Sequence, residues 1–279
     1  MTTTPQRQAR RLVQFRHDDL TFPVRDDGPH DGPVVVLLHG FPQDSHTWDD
    51  VVPVLHAAGL RTMVLDQRGY AGGNSPRGAR HYGIPALADD VLAMLDAAGV
   101  EHAHVVGHDW GGAIAWYLAG TSDRIVSMTV LSTPHPAALL WSFTHSRQGL
   151  SSYYMALFQV PRLPEHLLAR RLHTFYVRSG LPAEQAARYA GRFADPATLT
   201  GPMNWYRAML RHRTRTPRSR VPTTYIWGNT DFALGSAAAR RTAAFARSEY
   251  RFIEIGAGHW LPETHAALVA DEILGRVRG

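Results

Sequence analysis

Val105-Val106-Gly107-His108-Asp109-Trp110-Gly111-Gly112 reads as a strand that turns sharply into a helix. It has the form Gly-x-nucleophile-x-Gly, in which small flanking residues let the chain turn so tightly that the central side chain stands above a sheet. The same turn aims the first N–H groups of the helix at the site, where they stabilise developing negative charge. The usual central residue is serine; here it is Asp109. A carboxylate is already ionised at neutral pH and suits displacement at a saturated carbon bearing a strained or good leaving group. The product is an ester on Asp109 itself, which must be hydrolysed to regenerate the enzyme. An aspartate here could also be a plain helix N-cap. The double glycine and the preceding strand match the nucleophile turn more fully.

Outward from this turn, strands and helices alternate. Leu12–His17 and Leu20–Arg25 read as an opening hairpin, and Val34–Leu38 as a strand buried on both faces. Helical spacing over Trp48–Ala58, a strand at Arg61–Asp66 and a helix over Leu87–Ala98 closed by Gly99 follow. Next come a strand at His104–Gly107, a helix over Gly112–Ala119 and a strand at Ile125–Leu131. The alternation breaks at Pro134-His135-Pro136 and stays helical and aromatic to about Arg220. It resumes with Thr223–Trp227 (strand), Ala237–Arg247 (helix), Arg251–Ile255 (strand) and His265–Val277 (helix). This order predicts an α/β fold: a mostly parallel sheet flanked by helices, carrying a helical insertion. The division is a core of 1–135 and 221–279 with an inserted segment of 136–220. Ligands in such sheets sit beyond the carboxyl ends of the strands, so the chemistry belongs in post-strand loops beneath the insertion.

Two further loops fit. His39-Gly40-Phe41-Pro42 follows the Val34–Leu38 strand, where the Phe41 N–H can join the Trp110 N–H in an oxyanion hole. A tight turn needing glycine and proline is the plainer reading. Hydrolysing an ester on Asp109 also needs a base for water and an acid behind that base. His259, in the post-strand loop Gly256-Ala257-Gly258-His259-Trp260, fits the first role among 16 histidines. Asp231, in Trp227-Gly228-Asn229-Thr230-Asp231, fits the second. The rival position after Ile125–Leu131 offers no carboxylate between Ser132 and Leu163.

Composition sets the outer limits. With 279 residues, 44% hydrophobic and 19% charged, the chain has the make-up of a globular protein with ample core. The absence of cysteine excludes disulfides, thiolate metal sites and cysteine nucleophiles. Met1 to Arg11 holds no apolar stretch of signal-peptide type, and Val34–Leu38 is far too short to span a bilayer, so a soluble, cytoplasmic protein without membrane partners is expected. The net charge of +5 comes without any lysine, and its only dense run is Arg211, Arg213, Arg215, Arg218 and Arg220. No aromatic residues interleave with it to stack on bases, so it reads as a solvated face and no nucleic-acid partner is expected.

With these residues in hand, the chain resembles the α/β-hydrolase fold, in the branch with an aspartate nucleophile: epoxide hydrolases and their relatives the haloalkane dehalogenases. The resemblance runs through His39–Pro42, Asp66-Gln67-Arg68-Gly69-Tyr70, Gly107–Gly112, Asp231 and His259. It implies a helical cap at the insertion, a cis Phe41–Pro42 peptide, and no cofactor or metal. It also implies two cap tyrosines that hydrogen-bond an epoxide oxygen. Tyr153-Tyr154-Met155-Ala156-Leu157-Phe158-Gln159 and Asn204-Trp205-Tyr206-Arg207 look like those cap motifs, with Tyr154 and Tyr206 in the tyrosine positions and Tyr153 one residue from the first. Tyrosines packing a cap interface are the alternative. Phe41, Trp110, Phe158 and Trp205 are the expected substrate contacts; with Trp141, Phe143 and Phe175 they suggest an apolar pocket. Dehalogenases commonly place an asparagine in the His-Gly-x-Pro loop, where this chain has Phe41. Fluoroacetate-type enzymes place arginines where it has Trp110 and Ala113. Both departures favour an epoxide, with water as co-substrate. The remaining alternative is a binding protein of the same fold without catalysis.

Overall fold

The computed structural model describes residues 11–212 and 214–279. Strands β1 (Gln14–His17), β2 (Leu20–Asp27), β3 (Val34–Leu38), β4 (Arg61–Leu65), β5 (Ala103–His108), β6 (Ile125–Leu131), β7 (Thr223–Gly228) and β8 (Tyr250–Ile255) form one sheet. Its order is β1-β2-β4-β3-β5-β6-β7-β8. The hairpin β1–β2 joins β4 antiparallel, and every other pairing is parallel. All residues of β3, β4 and β7 are buried. Covering on both faces is why they read as unbroken runs rather than alternating ones. Each large apolar side chain so buried contributes about 1.5–3 kcal/mol.

Helices α1 (Val52–Ala57), α2 (Ile84–Ala97) and α3 (Trp110–Thr121) connect the first strands. Helices α4 (Pro136–His145), α5 (Gln148–Ser151), α6 (Tyr153–Leu157), α7 (Leu163–Arg178), α8 (Ala183–Arg192) and α9 (Thr200–Arg211) all lie between β6 and β7, where the insertion was expected. Helices α10 (Ser236–Arg241), α11 (Leu261–Thr264) and α12 (Ala266–Arg278) complete the chain. Side chains of α2 and α3 build the core on one face of the sheet, continuous with the inserted helices, and those of α1 and α12 build it on the other. The register aligns Leu38 of β3 with Gly107 of β5, which brings the loops at His39 and Asp109 to the same sheet edge.

Several boundaries differ from the sequence reading. The expected helix over Trp48–Ala58 is a tight turn at Ser45–Trp48 followed by α1, whose first turn is set by Pro53. Likewise α2 begins at Ile84, with Pro85 in its first turn, rather than at Leu87. Helix α3 begins at Trp110, because Asp109 itself is the capping position. The expected helix Ala237–Arg247 breaks into α10 and a tighter turn at Thr242–Phe245. There the Thr242 hydroxyl donates to the Ala238 carbonyl and accepts the His135 N–H. Of the arginine run, Arg213 lies outside the described residues. Among the described residues no helix is long and apolar enough to cross a membrane.

Candidate active site

Asp109 sits at the end of β5 with φ 49° and ψ −118°, a conformation that turns its side chain away from the strand and over the sheet edge. The approach of α3 requires glycine: a Cβ on Gly111 would lie 2.1 Å from the Leu38 carbonyl oxygen. The Phe41 N–H donates to Asp109 Oδ1 at 2.8 Å, and the Trp110 N–H donates to the same carboxylate. The two donors expected to form an oxyanion hole thus already hold the Asp109 carboxylate. The Phe41–Pro42 peptide is cis, as the resemblance implied. Burial raises the Asp109 pKa above the ordinary carboxylate value, against the opposing pull of His259 and the two backbone N–H groups.

His259 follows β8 and Asp231 follows β7. His259 Nδ1 lies 2.8 Å from Asp231 Oδ2, while its Nε2 faces Asp109 Oδ2 at 3.7 Å. The other Asp231 oxygen accepts from the Ala233 and Leu234 N–H groups at 2.7 and 3.0 Å, fixing the carboxylate plane. Burial alone would depress the His259 pKa, but Asp231 and then Asp109 outweigh it and hold the imidazole at about 9. The two carboxylates that flank the ring thus favour its protonated form.

Above this edge lies a cavity of about 1210 Å³ whose lining includes Asp109, Trp110, Tyr154, Trp205 and Tyr206. The phase of α6 separates the two candidate tyrosines: Tyr153 is 72% exposed, whereas Tyr154 lines the cavity. Helix α9 is held down by Trp205, whose indole N–H donates to the Arg68 carbonyl at 2.8 Å. The next residue, Tyr206, lies edge-on to Trp110 and Phe41 and 6.1 Å from Tyr154 between ring centroids. Burial raises the pKa of both tyrosines, and the Asp109 charge adds to it, so both hydroxyls stay protonated. Of the four expected substrate contacts, Trp110 and Trp205 line the cavity. Phe41 and Phe158 do not: they meet Tyr206 edge-on, with ring centroids at 5.1 and 5.0 Å, and brace it. Of the other aromatic residues expected around a pocket, Phe143 lines it, whereas Trp141 packs against His145 and Arg241, and Phe175 against Tyr176, Phe232 and Trp260.

Residues 33–266 match the alpha/beta hydrolase fold family. The chain belongs to that family. It is 34% identical over 267 residues to the AB hydrolase superfamily protein YfhM of Bacillus subtilis, covering 91% of this chain and 93% of that one. It is 30% identical over 302 residues to epoxide hydrolase A of Mycobacterium tuberculosis, covering 92% and 94%. Among solved structures, epoxide hydrolase A of Mycobacterium thermoresistibile superposes with a TM-score of 0.82 at 27% identity, over 95% of this chain and 97% of that one. This alpha/beta hydrolase therefore resembles epoxide hydrolases in sequence and in fold, cap included.

Behind His259 lies a buried polar chain that sequence reasoning missed. His108 Nε2 lies 2.9 Å from the His259 carbonyl oxygen and its Nδ1 lies 2.9 Å from the Gln43 amide oxygen. Ser132 Oγ donates to the same carbonyl at 2.8 Å. The Gln43 amide in turn donates to Glu263, whose Oε1 also accepts from Thr47 at 2.6 Å and Tyr189 at 3.0 Å. Burial raises the Glu263 pKa. In sequence Glu263 is an acidic residue in the first turn of a short helix, and nothing there marks it as buried.

Proposed function

We propose that the protein hydrolyses an apolar epoxide to a vicinal diol through a covalent ester on Asp109. The observation that carries this reading is a carboxylate, rather than a hydroxyl, at the nucleophile turn, sharing one cavity with two tyrosine hydroxyls. The names of its epoxide hydrolase relatives support the same reading.

In the proposed cycle the epoxide oxygen accepts hydrogen bonds from Tyr154 and Tyr206. The Asp109 oxygen not held by Phe41 attacks a ring carbon, the C–O bond breaks, and the new alkoxide takes a proton through the tyrosines. Because both phenols resist ionisation, the proton is made good by the neighbouring imidazolium. Esterification abolishes the Asp109 charge, one of the three that hold the His259 proton, so the chemical step lowers the affinity of His259 for that proton. Neutral His259, oriented by Asp231, then takes a proton from water as hydroxide adds to the ester carbonyl. The oxyanion forms where Phe41 and Trp110 N–H groups already point. A donor of this kind is worth ~10²–10³ in turnover. Collapse of the adduct releases the diol, which takes its second proton from His259, and the acid left on Asp109 passes its proton to His259 to restore the starting pair.

A single turnover in heavy-oxygen water tests the scheme. Label should enter the Asp109 carboxylate before it reaches diol. Label passing straight to diol would eliminate the ester. A His259→Gln variant should accumulate that ester and show a burst without turnover.

A further inference from the structure

The arginine run read as a solvated face has a different setting in three dimensions. The cavity over Asp109 continues along α3, whose Trp110, Ala113 and Gly120 form its floor. Gly120 is eleven residues past Asp109, which at 1.5 Å per helical residue makes the trough roughly 16 Å long. At Gly120 the wall closes in: a Cβ there would lie 3.0 Å from the Pro217 carbonyl oxygen. At the far end the wall is the segment leaving α9, together with Arg247. The Ser219 N–H donates to the Phe245 carbonyl and the Arg247 N–H to the Ser219 carbonyl, both at 2.9 Å, which ties the 245–247 segment to the segment carrying Arg218 and Arg220.

Arg215, Arg218, Arg220 and Arg247 all line this end. Arg220 pairs with Asp123 at 3.1 Å. Among the described residues, Arg215, Arg218 and Arg247 have no carboxylate partner and their guanidinium groups make no hydrogen bond. The only carboxylate in the lining is Asp109, at the opposite end. One trough thus has a reactive carboxylate and two phenols at one end, an apolar middle including Leu139, Phe143 and Met209, and three uncompensated guanidinium groups at the other.

We infer that Arg215, Arg218 and Arg247 form an anion subsite, and that the preferred substrate is an amphiphilic epoxide whose apolar chain ends in a carboxylate or phosphate. This rests on the epoxide chemistry proposed above and specifies which epoxides it serves. Planar guanidinium forks match both anions. Each exposed pair gains a few-fold at most, so three acting together give roughly a ten-fold preference, and one that salt weakens.

The test compares terminal-epoxide alkanoic acids of increasing spacer length with their methyl esters and with the matching alkyl phosphates, at low ionic strength. The ratio of acid to ester in kcat/KM should reach roughly ten once the spacer spans the trough. It should fall to about one in the Arg215→Gln/Arg218→Gln/Arg247→Gln variant, and with added salt. The better anion of carboxylate and phosphate identifies the natural head group. A ratio near one in the wild type, or one that survives the triple substitution, overturns the subsite. If no epoxide yields diol, the catalytic reading fails instead. The subsite is then judged by tryptophan quenching with unreactive dodecanoate, which should bind roughly ten-fold more weakly to the triple variant. Equal binding to both proteins overturns it.

Discussion

Asp109 occupies a backbone conformation that only glycine adopts freely, and such strain costs about 1–3 kcal/mol. Its carboxylate is also held in a buried site that resists ionisation. Both features oppose folding, and the proposed ester chemistry would account for their retention, so they should separate by mutation. Asp109→Gly should melt higher than Asp109→Asn by the equivalent of about 1 kcal/mol, with neither variant turning over epoxide; thermal melts of the two in parallel decide it. His259 gives the pH counterpart. Its folded pKa of about 9 lies above the ordinary imidazole value of 6.5. Its contribution to stability is fully present below pH 6.5 and is lost as pH rises through 9. Urea titrations at intervals across that window should show stability falling with pH. In Asp109→Asn, which lacks one of the raising charges, the fall should come at lower pH. Loss at the same pH in both proteins would contradict the pairing.

At the scale of elements, α6 and α9 bring the tyrosines to the site by different means. Helix α6 relies on phase alone: one step along it exchanges an exposed ring for one in the cavity. Tyr154→Phe should slow single-turnover ring opening by about 10²-fold, the lower end of general-acid effects, while Tyr153→Phe should leave it near wild type. Helix α9 relies on contact. Gly201 in its first turn lies so close to the Gly69 loop that an added Cβ would sit 2.3 Å from the Gly69 carbonyl oxygen. Arg68, whose carbonyl receives the Trp205 indole, is itself locked by Asp90 through two bonds of 2.8 and 2.7 Å. Gly201→Ala should therefore cost about 1–3 kcal/mol and reduce ring opening by displacing Tyr206, as seen in melts and single turnovers of the same preparation.

For the whole molecule, the cap is tied to the core by its two chain connections and by polar contacts across the joint. Arg192 pairs with Asp44 at 2.9 Å, the Trp260 indole donates to Ser179 at 3.0 Å, and the Tyr176 hydroxyl donates to the Pro42 carbonyl. The edge hairpin is secured differently. Asp26 on β2 takes two bonds from Arg61 on β4, at 2.7 and 2.6 Å, and both side chains are buried. Burial would raise the Asp26 pKa, but Arg61 and the Leu12 N–H lower it overall. The stabilisation is therefore present above the ordinary carboxylate range and is lost as pH falls through the depressed value. Arg61→Met leaves that charge with only Arg11 and the Leu12 N–H as partners and should cost about 3 kcal/mol at neutral pH, with part of the loss recovered in acid; chemical denaturation at two pH values measures both.

The order of strands and helices, the insertion point and the sharp strand-to-helix turn at Asp109 were legible in the chain because each depends on neighbours in sequence. Continuous apolar runs mark strands covered on both faces, and glycine flanks mark a turn nothing larger could make. Asp231 and His259 were legible for a related reason: a parallel sheet delivers the ends of its strands to one edge, so position after a strand already fixes location. Which of Tyr153 and Tyr154 faces the cavity depends on the phase of a five-residue helix against the core, too short to carry a readable period. The enclosure of the Glu263 carboxylate, the bracing of Tyr206 by Phe41 and Phe158, and the pairing of Ser219 with Ala246 that brings Arg247 to the cavity arise between segments far apart in sequence. Burial and charge compensation are properties of surroundings that only the folded chain assembles.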